Sequence, residues 1–543
     1  MKHVEAIVIG SGAGGGTIAA VLAEAGKSVL VIERGRQVAY SSEGRDHLRN
    51  HRLARYPHLT GPDLEGSTRV FVDPAGGEHT VQAHQPGFHN NATLVGGGTR
   101  VYGAQAWRFL PVDFAMASTY GVPDGSSLVD WPITYDELEP FYSQAEWEIG
   151  VCGDDAASEG HWTRSRPYPM APLSEGAQAA ALRRGARKLN WPVVPVPLLV
   201  NSEARNGRAA CVRCQHCVGF VCPVDAKNGS HNTVLERALA TGRTTMHTEV
   251  VAERLQTDRS GTVTGVRCIA RDGRRETVTA DVVVVAAGAI ETARLLLNSP
   301  TRREPAGVGN NHDHVGRHLQ GHAYANGFGL MPDRVHDGLG PGVSVATLEH
   351  AHHNPGLIGG ALLADEFVVL PMAFWARNLP PETRRWGREN KTFMRDNYGR
   401  VMRVAGPVQE VPSPSARVTL DRQRRDRWDV PAARLSGTTH PETLRTAAYI
   451  RARCVEWLQA SGAIRTWAPR VPLALHAGQH QSGTARMGED PAASVVDPFG
   501  RVHGHRNVFV ADASVHATNG SVNPVLTTMA LAFRTGQHLV DTW

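Results

Sequence analysis

The sequence predicts an α/β fold in which a Rossmann-like dinucleotide-binding domain joins a discontinuous α+β substrate domain built on an antiparallel sheet. Three observations carry this expectation. The N-terminal run AIVIGSGAGGGTIAAVLAEAGKSVLVIERG passes from apolar strand through glycine turn and alanine-rich helix to a second apolar strand, a complete βαβ unit. Apolar strands expected at residues 281–287 and 507–511, each followed by a helix (291–297 and 527–539), bring the chain back to the nucleotide-binding sheet late. Between them, residues 307–468 change to alternating strands rich in histidine, proline and aromatic residues, as suits a separate substrate-binding body.

Taken in order, residues 5–9 form the first strand, 10–16 the turn, 17–25 a helix closed by Gly26, and 28–32 the second strand. Residues 37–87 are polar, with many histidines and arginines and no sustained period, and are expected to be loops and short elements crossing a cofactor. A helix starts near Tyr135, with acidic residues in its first turn. Alternation over 245–279 predicts antiparallel strands, and residues 441–461 a helix that Gly462 stops. The expected boundaries are 1–36, 88–135, 205–306 and 469–543 for the nucleotide-binding domain, and 37–87, 136–204 and 307–468 for the substrate domain.

Bulk properties narrow the function. With 543 residues, 41% apolar and 20% charged, the chain can bury the cores of two or three domains. A net charge of +5 is small, and arginines such as Arg377, Arg384, Arg422 and Arg427 are scattered, which argues against nucleic acid. No apolar run approaches the ~20 residues of a membrane span. The first strand begins almost at Met1, leaving no room for a leader, so the cytoplasm is the expected location. Seven cysteines, four of them clustered, point to reduced thiols or a metal rather than a disulfide framework.

Gly10, Gly12 and Gly15 fit G-x-G-x-x-G between strand and helix: one for the tight turn, one for close approach to a pyrophosphate, one for helix–strand packing. The helix N-terminus, with Ala13 in the turn that leads into it, offers amides and a positive dipole end to phosphates. Glu33 closes the second strand, where it can accept bonds from ribose hydroxyls, and this acidic residue, followed by Arg34, favours an unphosphorylated ribose, as in FAD or NAD. A second glycine loop, LVGGGTRVYGAQAWRFLPVDF, lets backbone approach something flat and large.

Here the sequence resembles the glucose-methanol-choline (GMC) oxidoreductases. Gly97, Gly98, Thr99, Tyr102 and Gly103 look like that family's signature loop, and HQSGTARMG and VNPVLTT like its two active-site segments. The resemblance implies non-covalent FAD, since Val101 stands where some members attach flavin through a histidine. It makes His480 the imidazole beside the flavin and Asn523 its partner, with Pro524 and Val525 continuing the cofactor contact. It places Asp512 near the ribityl and diphosphate region and the Val251 backbone against adenine. Thr527 and Thr528 would open the last helix, whose dipole would favour reduced flavin. The chemistry agrees: a neutral His480 can take a hydroxyl proton as hydride leaves the carbon, and the Asn523 carboxamide can hold the oxygen.

The cysteines Cys211, Cys214, Cys217 and Cys222 admit three readings: an iron–sulfur site, a zinc site, or packed thiols with or without a local disulfide. Cys152, Cys268 and Cys454 are expected in the core. His318 and His322, four apart, could share a helix face as metal ligands, but without a following acidic partner they read as lining or packing residues, as do His350, His352 and His353. Trp107, Trp375 and Trp386 are either sugar platforms or core. Within the family, the loop around Tyr102 and Trp107, the segment EWEIGVCG and the cysteine block resemble sugar or glycoside oxidases and aminoglycoside-biosynthetic alcohol oxidases. The implied partners are a carbohydrate-like substrate and dioxygen or another electron acceptor. An aminoglycoside would call for carboxylates such as Glu349, Asp365 or Glu366. A cluster-bearing dehydrogenase feeding a partner protein, and a flavin protein with lyase or structural duty, are the alternatives.

Overall fold

The computed structural model describes residues 3–42, 60–89, 91–158, 160–365 and 370–543. A seven-stranded sheet forms the nucleotide-binding layer, in the order Thr244–His247, Val29–Ile32, His3–Ile9, Arg275–Val285, Val263–Ala270, Val250–Thr257, with Val508–Val510 also on Arg275–Val285. The first strand pairs in parallel with both neighbours, Ile9 opposite Ile32 on one side and Val285 on the other. Strands covered on both faces must be apolar throughout, which is why Ala6, Ile7, Val8, Leu30, Val283 and Val284 are all fully buried.

Arg275–Val285 is longer than the expected strand because it serves three partners. Its first half pairs antiparallel with Val263–Ala270, and its second half parallel with His3–Ile9 and Val508–Val510. The helices Ala13–Glu24 and Val525–Asp541 pack together against this sheet. The first starts four residues before its expected start at 17 and the second two before 527. In both cases small or neutral residues next to a turn let the helix begin immediately.

The second body is built on a six-stranded antiparallel sheet, ordered Arg465–Trp467, Ala323–Leu330, Val401–Val408, Leu363–Asp365, Val345–Thr347, Val194–Pro195. The helix Pro441–Ala460 lies across it with Trp457 and Cys454 fully buried. A third sheet joins Arg417–Arg425 and Pro431–Ser436 to a hairpin of Thr68–Val72 and Glu78–Gln82. The segment 37–87 therefore contributes sheet as well as loop, and residues 43–59 of it lie outside the described residues.

The helix Tyr135–Ala145 starts at a capping box in which Thr134 and Glu137 bond reciprocally. It runs into a π-helical turn at Glu146–Gly150. That turn carries a fully buried carboxylate, Glu146, to Arg108 and Arg164, with contacts of 2.8 and 2.6 Å. The helix packs on Val525–Asp541, so its first residues sit against the nucleotide-binding layer, although the expected boundaries assign 136–204 to the substrate body.

Candidate active site

A cavity of about 380 Å³ runs from the end of the second strand to the segment carrying His480. It is lined by Gly10, Gly12, Ala13, Glu33, Arg34, Gly97, Gly98, Thr99, Tyr102, Gly103, Val251, Asp512, Pro524, Val525, His480 and Asn523. Of the residues expected for the catalytic pair and the cofactor, only Gly15 is absent from the wall. Its role is packing: a Cβ there would stand 2.0 Å from the Gly10 carbonyl oxygen.

The glycines divide as their spacing predicted. Gly10, at φ +102°, backs onto the Ala286 carbonyl. Gly12 has an ordinary φ of −69°, and among the described residues no atom beyond its chain neighbours and its own helix lies within 4 Å of where its Cβ would be. Space at Gly12 is thus kept for something other than protein. The second glycine loop lies directly on it, a Cβ at Gly97 falling 3.2 Å from the Gly12 Cα, and the Gly96 amide bonds Ser11 Oγ at 3.0 Å. Ser11 in turn donates through both its amide and its hydroxyl to Glu33, whose other oxygen takes the Gly35 amide. The wall also carries Glu253, Glu291 and Asp512. Glu291 is held well below the usual carboxylate range by Arg34, Arg294 and Arg69 although its burial acts the other way. Burial raises Asp512, against bonds from Ser514, Thr292 and the Gly288 amide.

The other end of the cavity is built by long-range pairing. Gln320 and Ser482 exchange backbone bonds, and the Asn519 carboxamide donates to the carbonyls of both Gly321 and His480, at 3.0 and 2.7 Å. Gly321 permits this approach, since a Cβ would meet the His476 carbonyl at 2.0 Å. His480 is left at φ +54°, a left-handed conformation uncommon for a residue other than glycine, though histidine adopts it more readily than most. Asn523 donates to the Tyr324 hydroxyl at 3.4 Å, and its Oδ1 is buried without a hydrogen-bond partner. A buried unpaired carboxamide oxygen costs stability, roughly 1–3 kcal/mol.

Two residues next to this pair were not assigned to the site from sequence. His322 Nδ1 lies 2.7 Å from His480 Nδ1, and Tyr324 holds Asn523. Their spacing of two in an extended segment, which puts both on one face, is the signal that could have found them. His318 and His322 share no helix: His318 sits at φ +61° and bonds Ser127 Oγ. His350 packs against Trp191 and Tyr449, and His352 bonds Asp113. Trp107 is core, its indole held by Gln105, while Trp375 bonds the Arg385 carbonyl and Trp386 is exposed; none of the three lines the cavity.

Thr527 turns away from the wall to Tyr142, and Thr528 lines it, so Pro524 and Val525 rather than the threonines form the helix start facing the cavity. Asp365 is buried under three bonds from Ser344 and Val345, and Glu349 is exposed. Neither lines the cavity, and Glu366 lies outside the described residues. Cys211, Cys214, Cys217 and Cys222 are thiols around a separate space of about 10 Å³. Among the described residues, no three His, Cys, Asp or Glu side chains are placed to hold a metal ion. Cys152, Cys268 and Cys454 are buried, as expected.

Family models described as GMC oxidoreductase match residues 74–324 and 412–532, and one described as an NAD(P)-binding Rossmann-like domain matches 8–67. The chain belongs to the GMC oxidoreductases. It is similar to the 6'''-hydroxyparomomycin C oxidase of Streptomyces lividus, at 32% identity over 98% of this chain and 91% of that one. It is also 31% identical to the paromamine 6'-oxidase of Streptomyces fradiae, over 98% and 90% of the two chains. In fold it resembles pyridoxine 4-oxidase from Mesorbium loti, with a TM-score of 0.64 at 20% identity over 98% and 99% of the chains.

This GMC enzyme is an FAD-dependent oxidoreductase acting on CH–OH donors. Its wall fits the cofactor: two glycine loops with open space at Gly12, a helix start at Ala13 for phosphates, and an acidic strand end at Glu33 for ribose. Among the described residues, no helix is long and apolar enough to cross a membrane. Because the Gly12 backbone suits any residue, Gly12→Val is expected to fold and purify colourless. A yellow Gly12→Val protein with wild-type flavin content would show that the cavity does not hold the pyrophosphate there.

Proposed function

We propose that the enzyme oxidises an alcohol on a carbohydrate-like substrate, an aminoglycoside or a sugar or glycoside hydroxyl, to an aldehyde or ketone. The observation that carries this reading is His480 and Asn523 on one wall of a cavity shaped for FAD. His480 takes the hydroxyl proton, and a carboxamide N–H of Asn523 holds the oxygen as its charge grows. FAD, when bound, supplies the hydride acceptor, and an external acceptor such as dioxygen reoxidises it.

The substrate class is supported by the two aminoglycoside oxidases among the relatives and by the wall. Carboxamides of Asn91, Gln105, Gln479 and Gln481 line it beside Asn523, and such groups suit a polyhydroxylated ligand. The four carboxylates of the described wall, Glu33, Glu253, Glu291 and Asp512, are already bonded to protein partners. Paromamine, a methyl glucoside and free glucose should be incubated with the enzyme and the products weighed by mass spectrometry. A product two hydrogens lighter than one of them is expected, and no such product from any carbohydrate or aminoglycoside would end the reading.

The expected domain division belongs to this proposal, with residues 136–150 moved to the FAD side on the packing of Tyr135–Ala145. FAD is held without a covalent bond in this reading, supported by Val101 in the wall where a histidine would attach it. Acid denaturation is then expected to release all flavin to the supernatant, and flavin left on the precipitated chain would contradict it.

A further inference from the structure

We infer that His322 is a positioning residue that fixes the tautomer of His480, placing the hydrogen of His480 on Nδ1 and its lone pair on Nε2. The inference rests on the proposed role of His480 as the base.

A backbone carbonyl decides the first proton. His322 Nε2 lies 2.9 Å from the Gly520 oxygen, which can only accept, so Nε2 carries a hydrogen. The Asn519 carbonyl also interacts with this ring. Burial pushes His322 down to about 4, so near neutral pH its imidazole is uncharged and has only that one N–H. Its Nδ1 is therefore an acceptor.

That Nδ1 stands 2.7 Å from His480 Nδ1, with the two rings edge to face at 86°. Two lone pairs at this separation would repel, so the hydrogen between them belongs to His480. A neutral His480 with its hydrogen on Nδ1 has a basic Nε2. When Nε2 takes the substrate's hydroxyl proton, His480 becomes an imidazolium and His322 stays neutral. The bond between the rings then has a charged donor and strengthens, which favours the transfer.

The surroundings keep this arrangement single-valued. Asn519 ties the two histidine segments together through Gly321 and His480. Of the buried acids on neighbouring segments, Asp113 accepts from His352 and from the amides of Leu110 and Ser521, and Glu410, which burial pushes up to about 8, accepts from the amides of Gly321 and Ala323. The His322 ring thus has the Gly520 and Asn519 carbonyls and His480 as its partners.

Nitrogen-15 spectra of the histidine-labelled holoenzyme test this, with the His480 signals assigned by their loss in His480→Asn. The wild type is expected to show a protonated Nδ1 and an unprotonated Nε2 at His480. His322→Leu is expected to release that preference at unchanged flavin content. It should also slow anaerobic flavin bleaching by whichever compound of the panel above bleaches the wild type fastest, by about 10- to 100-fold, with little change in KM. In His322→Asn the Oδ1 replaces Nδ1, so the tautomer and most of the rate should return. A protonated Nε2 in the wild type, or an unaltered His480 signal and rate in His322→Leu, would overturn the inference. Activity retained in His480→Asn would instead remove the base assignment and leave the wild-type spectrum to judge the tautomer by itself.

Discussion

His480→Asn is expected to lower kcat by about 10²–10⁴-fold, the span of a general base, or about 3–5 kcal/mol of transition-state stabilisation. Asparagine is the informative replacement because it tolerates the left-handed backbone at this position, φ +54°, where alanine would add strain. Its side chain ends near where Nδ1 stood and can still donate to His322 at the 2.7 Å contact, but it has no basic nitrogen to offer. The backbone clamp from Asn519 to the residue 480 carbonyl does not depend on the side chain. Flavin content and thermal stability should therefore match the wild type while turnover collapses. Turnover within a few-fold of wild type in a fully flavinated variant would mean that another group takes the proton.

Asn523→Leu is expected to cost about 10²–10³-fold in kcat, as for removal of one preorganised donor to a developing oxyanion. Leucine is close in shape and removes the carboxamide together with its orphaned Oδ1. Because that oxygen has no partner among the described residues, its loss should leave the melting temperature unchanged or higher. Among the described residues, the side-chain bond broken is the 3.4 Å contact to Tyr324. A drop in activity with a matching drop in stability would point to a structural asparagine instead. A drop in activity alone fits a group that works on the substrate.

The parts legible in the sequence were those with local signals. The βαβ unit has its strand period, glycine spacing and acidic strand end within residues 3–33, and the structure assembles all of it. His480 and Asn523 were legible because the motifs around them are short and contiguous. What escaped depends on pairing across long separations. The hydrogen bond between His322 and His480 spans 158 residues, and its existence depends on the register of Gln320 against Ser482, which no local period encodes. The hairpin Thr68–Val72 and Glu78–Gln82 is local, with Pro74, Gly76 and Gly77 in its turn, and was missed because its polar surroundings read as loop; only its pairing with Pro431–Ser436 is distant. The π-helical turn at Glu146–Gly150 has no propensity signature, and a buried Glu146 between two arginines supplies its reason. Element ends were misjudged where a helix begins directly at a turn, as at Ala13 and Val525.

The central claim is that an alcohol of a carbohydrate-like substrate gives up its hydrogen in a cavity where FAD meets His480 and Asn523. Anaerobic mixing of the purified yellow enzyme with paromamine, a methyl glucoside, glucose and simple alcohols, followed by the flavin absorbance, tests it without assuming an acceptor. Bleaching by a carbohydrate or aminoglycoside is predicted, slower when the reacting carbon carries deuterium and slower again in His480→Asn. Flavin that stays yellow with every carbohydrate and aminoglycoside, or that bleaches equally fast in His480→Asn, would contradict the account.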